Sequence, residues 1–439
     1  MPSHQPPSLL VLSNGHGEDV ISLALIEALK RRRPELSVAV LPLVGTGEAF
    51  AAAEQRGQLR RVGPRRHLPS GGFSNQSVTG LLQDVGAGLA LLSWRQWRLV
   101  RAWGRRGDPV LAVGDLLPLL LAWSGGGPFA FLGTPKSDYT WASPPPPGWG
   151  ASPLADGYHR CKGSEWDPWE WAVMRARRCR LVAMRDRLTA RGLRRHGVAA
   201  LAVGNPMMDG LEGAPLPPAL NPYRRLLLLP GSRMPEALGN LQRLLAALPD
   251  PPPAATWLVL LATGRHPSAD ELDALLQSAG FEPASGGVAA TAGIAGTEAA
   301  GSAADGAGSA APSTVWRRGA ITLWHGAGRF RDWAGWAEVG LATAGTATEQ
   351  LVGLGVPALS LPGPGPQFKA GFARRQSRLL GGAVLPLASA ATLRQALVAL
   401  LENEAERQRR GRIGRRRMGG AGGSDRLAEL IDRRLLRQA

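Results

Sequence analysis

Short apolar runs recur along this chain, each stopped by a glycine- or hydroxyl-rich turn and followed by leucines at helical spacing. Leu9–Leu12 ends in Ser13-Asn14-Gly15-His16-Gly17-Glu18-Asp19; Ile21, Leu25, Ile26 and Leu29 then mark one helical face, and Val38–Leu43 is apolar again. A run without polar alternation reads as a strand covered on both faces, which is how parallel sheets are built. Strand, glycine turn, helix and strand make a βαβ unit. The spacing predicts further strands at Val110–Val113, Phe129–Leu132, Leu181–Met184 and Ala199–Val203, the last running into Gly204-Asn205-Pro206.

The proline-rich stretch Asp209–Tyr223 reads as a linker, after which the pattern starts again. Arg225–Leu229 is a strand with Pro230-Gly231-Ser232-Arg233-Met234-Pro235-Glu236 as its turn, and Trp257–Ala262 and Ala320–Trp324 follow as strands. Val339–Ala342 is a strand, Gly345–Thr348 a small-residue turn, a helix begins at about Glu349, and Ala358–Leu361 is the next strand. Residues 283–313 are almost wholly Ala, Gly, Ser and Thr, which bury too little to fold, and are expected to be a disordered insertion. The expected organisation is therefore an N-terminal α/β domain over 1–208, a linker over 209–223, a second α/β domain over 224–389 carrying that insertion, and a basic helical tail over 390–439. The fold class is α/β, with two Rossmann-like parallel-sheet domains.

One predicted helix, Ser77–Arg106, interleaves Trp94, Trp97 and Trp103 with Arg95, Arg98, Arg101, Arg105 and Arg106. Tryptophan with arginine at helical spacing suits a lipid headgroup surface, and equally a helix that turns its indoles inward and solvates its guanidiniums. Base stacking on nucleic acid has no recognisable module to support it. The apolar stretch Val110–Gly133 is broken by Gly114-Asp115, Pro118 and Ser124-Gly125-Gly126-Gly127-Pro128, so strand, helix and strand are expected there rather than a membrane span.

Composition narrows the setting. With 439 residues, 44% of them hydrophobic, the chain can bury two cores. Two cysteines, Cys161 and Cys179, make no disulfide framework and sit in no metal-ligand spacing, and the first residues carry no basic, apolar signal, so a cytoplasmic protein with free thiols is expected. The net charge of +17, in which only Lys30, Lys136, Lys162 and Lys369 of the 51 basic residues are lysines, favours an anionic partner: phospholipid headgroups, a nucleotide or nucleic acid.

Two turns carry candidate chemistry. The hydroxyl-rich turn at Gly345, Thr346 and Thr348 opens a helix, whose unpaired N–H groups and dipole can hold a diphosphate. His16 stands at the carboxyl end of a strand, where open α/β sheets place ligands. An unperturbed imidazole titrates near neutrality, which makes His16 the candidate general base, with Asp115 as orienter or rival base.

Several motifs, in order and spacing, resemble those of lipid-A-disaccharide synthase and its related group. They are S-N-G-H-G-E-D (Ser13–Asp19), V-G-N-P-M-M-D (Val203–Asp209), L-L-L-P-G-S-R-M-P-E (Leu227–Glu236), A-G-T-A-T-E-Q (Ala344–Gln350) and a later P-G-P-G-P-Q-F. The Gly-His turn is closer to that of the peptidoglycan glycosyltransferase and of plant galactolipid synthases. The resemblance implies a GT-B fold, two Rossmann-like domains facing across a cleft, and transfer of a hexose or N-acetylhexosamine from a UDP-sugar to a lipid acceptor without a metal or other cofactor. On it, Gly15, Gly17, Gly231, Ser232, Arg233, Gly345, Thr346 and Thr348 would surround the donor, Arg233 facing the diphosphate. Glu349 or Gln350 would bind ribose, and Gln367 the sugar. Trp94, Trp97 and Trp103 would face an anionic membrane, placing the protein peripherally on its inner face. A UDP-sugar 2-epimerase of the same fold, or a non-catalytic nucleotide-sugar-binding regulator, are the alternatives.

Overall fold

The computed structural model describes residues 7–64, 89–252, 255–284, 311–363, 365 and 368–437. The chain divides into two compact units. The first comprises Met1–Trp141, Pro153–Asp209 and Gly419–Ala439; the second comprises Ala142–Ser152 and Gly210–Met418.

The first unit is built on β1 (Ser8–Ser13), β2 (Ser37–Pro42), β3 (Arg60–Arg61), β4 (Val110–Gly114), β5 (Phe129–Gly133), β6 (Cys179–Met184) and β7 (Ala200–Leu201). They form one parallel sheet in the order β3-β2-β1-β4-β5-β6-β7. The unbroken apolar runs are explained by this arrangement, since β4 and β5 are buried at every residue. Trp166, fully buried, meets Phe131 edge-on at 5.5 Å in this core. The helix Leu89–Arg105 buries Leu92, Gln96, Val100 and Trp103, one stripe at helical spacing. It crosses closely over the helix Leu116–Gly125: a Cβ on Gly104 would fall 2.3 Å from the Gly125 carbonyl oxygen. The part of the expected helix before residue 89 lies outside the described residues.

The second unit carries β8 (Arg224–Leu229), β9 (Trp257–Thr263), β10 (Glu282–Pro283), β11 (Thr314–Arg318), β12 (Ile321–Ala327), β13 (Val339–Ala342), β14 (Ala358–Ser360) and β15 (Val384–Pro386). Their order is β10-β11-β12-β9-β8-β13-β14-β15, parallel from β12 to β15 and antiparallel at the β10-β11-β12 edge. The sheet is therefore mixed, where parallel strands alone were expected. The antiparallel edge flanks the expected insertion, most of which lies outside the described residues.

Residues 390–439 do not stand apart as a tail. The helix Ala390–Glu402 inserts Leu393, Leu397, Leu400 and Leu401 into the second core. The arginine-rich helix Glu404–Met418 lies directly on the helix Thr346–Gly353. Cβ atoms on Gly411 and Gly414 would fall 2.2 Å from the carbonyl oxygens of Gly355 and Val352, so only glycine allows that approach. Some of its arginines are matched at home, Arg407 by Glu338 and Arg409 and Arg410 by Glu406, whose carboxyl those two guanidiniums hold down at about 2. The helix Gly423–Ile431 belongs to the first unit instead, packing on the helix His16–Arg32, with Arg33 paired to Asp432 and Arg31 to Asp425.

The Val203–Asp209 motif is explained by that docking. Val203 O accepts from Arg426 Nε, and the carboxylate of Asp209 accepts from the backbone N–H groups of Gly422, Gly423 and Ser424 at 2.5, 3.1 and 2.6 Å, capping the helix Gly423–Ile431 from a distant part of the chain. Charge-assisted bonds of this kind are worth about 1.5–3 kcal/mol. Asp209→Ala is expected to lower stability by about 2 kcal/mol and to speed hydrogen exchange in residues 423–436, whereas Asp209→Asn, which keeps one acceptor, should cost less.

Candidate functional site

In the first sheet the winding reverses between β1 and β4: the chain leaves β1 toward β2 on one side and returns to β4 on the other. Such a switch point leaves a crevice at the carboxyl ends of the two strands. The polar turn after β1 and the one after β4 meet there. Asn14 Nδ2 donates to Asp115 Oδ1 at 2.7 Å, and a Cβ on Gly114, whose φ is +136°, would lie 2.8 Å from the Asn14 Cβ. Glycine is required at 114 by both the angle and the approach.

Around this point the structure gathers a set of carboxylates. Glu18 Oε1 accepts from Thr134 Oγ1 at 3.1 Å, at the end of β5, and Asp19 accepts from Ser13 Oγ. Asp115 caps the helix Leu116–Gly125, accepting from the Leu117 N–H at 3.3 Å. Burial pushes the Glu18 carboxyl up to about 7, with the negative charges of Asp115 and Asp19 adding to it and the Thr134 bond opposing. Burial likewise raises Asp19 to about 6 against the Ser13 hydrogen bond. Asp115 is raised by burial and drawn back by the Leu117 N–H and the Lys136 charge. Lys136 itself is held by both oxygens of the buried Glu170 at 2.7 Å.

His16 is exposed in the first turn of the helix His16–Arg32, beside this cluster in the chain, with Gly17 next to it and Gly15 as the residue before the helix at φ +140°. The bonds that fix Asp115 run to Asn14 and Leu117, so its carboxylate is oriented by the neighbouring turn. Glu18 and Thr134 were not singled out from the sequence. Their signal was present, polar residues directly following strands, but nothing in one dimension says that the ends of β1 and β5 lie together.

The second sheet has its own switch point, between β8 and β13. Gly231, at φ +97°, brings the turn after β8 close to the one after β13: a Cβ there would sit 3.8 Å from the Thr343 carbonyl oxygen. On the other side a Cβ on Gly264, after β9, would lie 3.7 Å from the Ser232 Cβ. Gly231-Ser232-Arg233, Thr263-Gly264 and Thr343–Thr346 thus converge on one edge of the second unit. Burial draws the Arg233 pKa down and Glu236 opposes it; a guanidinium remains cationic throughout the physiological range. Thr263 Oγ1 and His325 Nε2, 3.0 Å apart, pair β9 with β12 beside this edge, and burial lowers the His325 pKa.

The helix after β13 runs Thr346–Gly353, three residues earlier than the pattern suggested, and this changes one assignment. Thr348 lies inside the first turn, fully buried, and its Oγ1 donates to the Ala344 carbonyl at 2.7 Å. That hydroxyl braces the turn and is not offered to a donor. Gly345 precedes the helix and Thr346 opens it, both half-buried, and Glu349 and Gln350 follow, also half-buried. Gln367 lies outside the described residues.

The tryptophans divide in the same way. Trp103 is 8% exposed and Trp97 packs against the first core, so both face inward, with Arg106 and Arg101 over their outer ring faces. Trp94 alone is open, at 49%, under Arg98 at 4.7 Å. The inward readings win because the helix must bury one stripe, and 96, 100 and 103 set which stripe it is. Among the described residues no group of three or more His, Cys, Asp or Glu is placed to hold a metal ion, and no helix is long and apolar enough to cross a membrane.

The raised carboxyls have a measurable consequence. Between about 4.5 and 7 the folded protein keeps a proton on Glu18 that the unfolded chain has released, so stability falls as pH rises through that window. Glu18→Gln removes this slope. Its thermal midpoint is expected to exceed that of the wild type at about pH 8 and to approach it below about pH 4.5, a difference read from melting curves across pH.

No protein-family model matches the chain, and no curated protein matches it in sequence. Solved structures do. CalG4, the calicheamicin glycosyltransferase, aligns at 16% identity and TM-score 0.57, over 99% of this chain and 100% of that one. The UDP-GlcNAc 2-epimerase of Neisseria meningitidis, solved bound to UDP-GlcNAc, aligns at 12% and 0.52, over 97% and 100%. MurG of Acinetobacter baumannii aligns at 14% and 0.51, over 98% and 100%. At these identities the likeness is one of fold: the chain has the two-unit α/β architecture of GT-B proteins.

Proposed function

We propose that this protein is a glycosyltransferase that moves a sugar from a nucleoside-diphosphate donor, UDP-linked by analogy with its structural neighbours, to an amphipathic lipid at a membrane surface. The observation that carries the reading is one helix of the first unit. Leu116–Gly125 begins at Asp115, in the carboxylate cluster, and exposes Leu117, Leu120 and Trp123 at 36%, 37% and 41%. Val20, one turn after His16, is open at 41%. A cluster able to move protons thus adjoins a surface that water disfavours, which fits an acceptor with a polar head and an apolar body.

In this reading His16 removes the proton from the attacking hydroxyl while the second unit stabilises the departing diphosphate. Arg233 supplies charge, and the turn at Gly345 and Thr346 supplies N–H donors at a helix start. Leu91 and Trp94 are also open on the neighbouring helix, beside Arg95 and Arg98, a pairing suited to anionic headgroups. The proximity of Glu18, Asp19 and Asp115 favours one second reading, a UDP-sugar 2-epimerase, because moving a proton on and off a sugar carbon calls for paired acids and bases.

Wild type and His16→Ala, incubated with radiolabelled UDP-sugars and vesicles of membrane lipid extract, separate these. Label entering the lipid phase with wild type, and falling about 10²–10⁴-fold in the variant, is expected. Interconversion of the sugar without lipid would replace this reading with the epimerase, and binding without turnover would replace it with a regulator. The membrane component has its own test: Leu117, Leu120 and Trp123 changed together to Ser should weaken flotation with anionic vesicles by about tenfold or more, each buried side chain being worth about 1.5–3 kcal/mol.

A further inference from the structure

The turn before the helix Thr346–Gly353 is held from behind by the helix Ala370–Leu379. Phe372 closes on Gly345, where a Cβ would meet the ring at 3.9 Å. Gln376, 3% exposed, donates from Nε2 to the carbonyl oxygens of both Ala344 and Gly345 at 3.2 Å. In a planar trans peptide the C=O of one residue points opposite to the N–H of the next. Tying these two carbonyls to Gln376 therefore directs the N–H groups of Gly345 and Thr346 away from it.

The other end of the same amide is unmatched: Gln376 Oε1 is buried and has no hydrogen-bond partner among the described residues. A buried acceptor left without a partner costs free energy that Leu or Met of similar size would not. Holding the backbone alone does not demand it either. Ala344 O already accepts from Thr348 Oγ1 at 2.7 Å and Gly345 O from the Glu349 N–H at 3.2 Å. What the amide adds is a fixed direction for both peptide planes.

We propose that Gln376 is a positioning residue for the phosphate-binding turn, holding the Ala344 and Gly345 carbonyls inward so that the Gly345 and Thr346 N–H groups face a nucleoside diphosphate. This rests on the donor reading given above. It assigns a role to a residue of a different helix, 30 positions downstream of Thr346, that touches no substrate itself.

The test is UDP titration by calorimetry on the full chain, with wild type, Gln376→Met and Gln376→Glu. Gln376→Met should raise the Kd for UDP about tenfold or more and speed hydrogen exchange in residues 344–348, with a thermal midpoint close to wild type because both carbonyls keep a partner. Gln376→Glu should bind as weakly at about pH 8 and recover part of the loss relative to wild type at about pH 5, where burial beside two carbonyl oxygens favours the protonated carboxyl, whose one O–H restores one of the two bonds. Unchanged Kd in both variants, with UDP bound by the wild type, overturns the role of Gln376 and leaves the donor reading standing. A wild type that does not bind UDP overturns the donor reading and this inference with it.

Discussion

Parallel pairing of neighbouring strands is the constraint from which the rest of this molecule follows. Ser13 pairs with Val113 across β1 and β4, and Ala342 with Leu229 across β13 and β8, so each pair ends level at the same edge of its sheet. Parallel strands cannot be joined by tight hairpins, so every turn at that edge is the start of a crossover and opens toward solvent or a helix. Where the direction of winding reverses, two such turns stand side by side with no crossover above them. Gly114 allows the close approach at the first, and Gly231, at φ +97°, carries the turn at the second through a backbone conformation that other residues rarely adopt.

The two units put opposite chemistry at equivalent places. At its switch point the first collects Glu18, Asp19 and Asp115, carboxyls that burial inclines to hold protons. The second collects Arg233, glycine turns and a helix start, which together offer positive charge and N–H donors to an anion. The first edge thus gathers groups that burial inclines to hold protons, and the second gathers positive charge and N–H donors.

The strongly basic composition has a more domestic explanation than composition alone suggests. Arg407, Arg409 and Arg410 pair with Glu338 and Glu406, Arg426 bonds the Val203 carbonyl, and Arg374 and Arg378 clasp residues 143–152 through the Ser143 and Gly150 carbonyls and the Ser152 hydroxyl. Arginine serves here as a planar multiple donor for backbone carbonyls at helix ends and loops, a use for which lysine is a poor substitute. Many of these arginines therefore have structural work within the fold, whatever an outside partner makes of their charge.

The sequence by itself determined the central strands of both sheets, the repeat of the α/β pattern and the turns after those strands, because unbroken apolar runs and glycine turns are local signals. It placed Arg233, Gly345 and Thr346 at strand ends correctly for the same reason. It missed β3 and β10, which are two residues long, and β11, whose Thr-Val-Trp-Arg-Arg is no unbroken apolar run; β15 went unread as well, and the pattern left open which way the indoles of one helix face. Only the tertiary structure decided that Trp97 and Trp103 turn inward, that Thr348 braces its own turn, and that the chain beyond residue 389 is divided between the two units. Each of these depends on what lies opposite a side chain in space: a Gly411–Gly414 face that fits a helix end, an Asp209 that reaches a helix more than two hundred residues away, a Gln376 behind two carbonyls. Periodicity can say that a face is buried, but the partner that buries it is fixed by sheet order and packing, which no stretch of sequence contains.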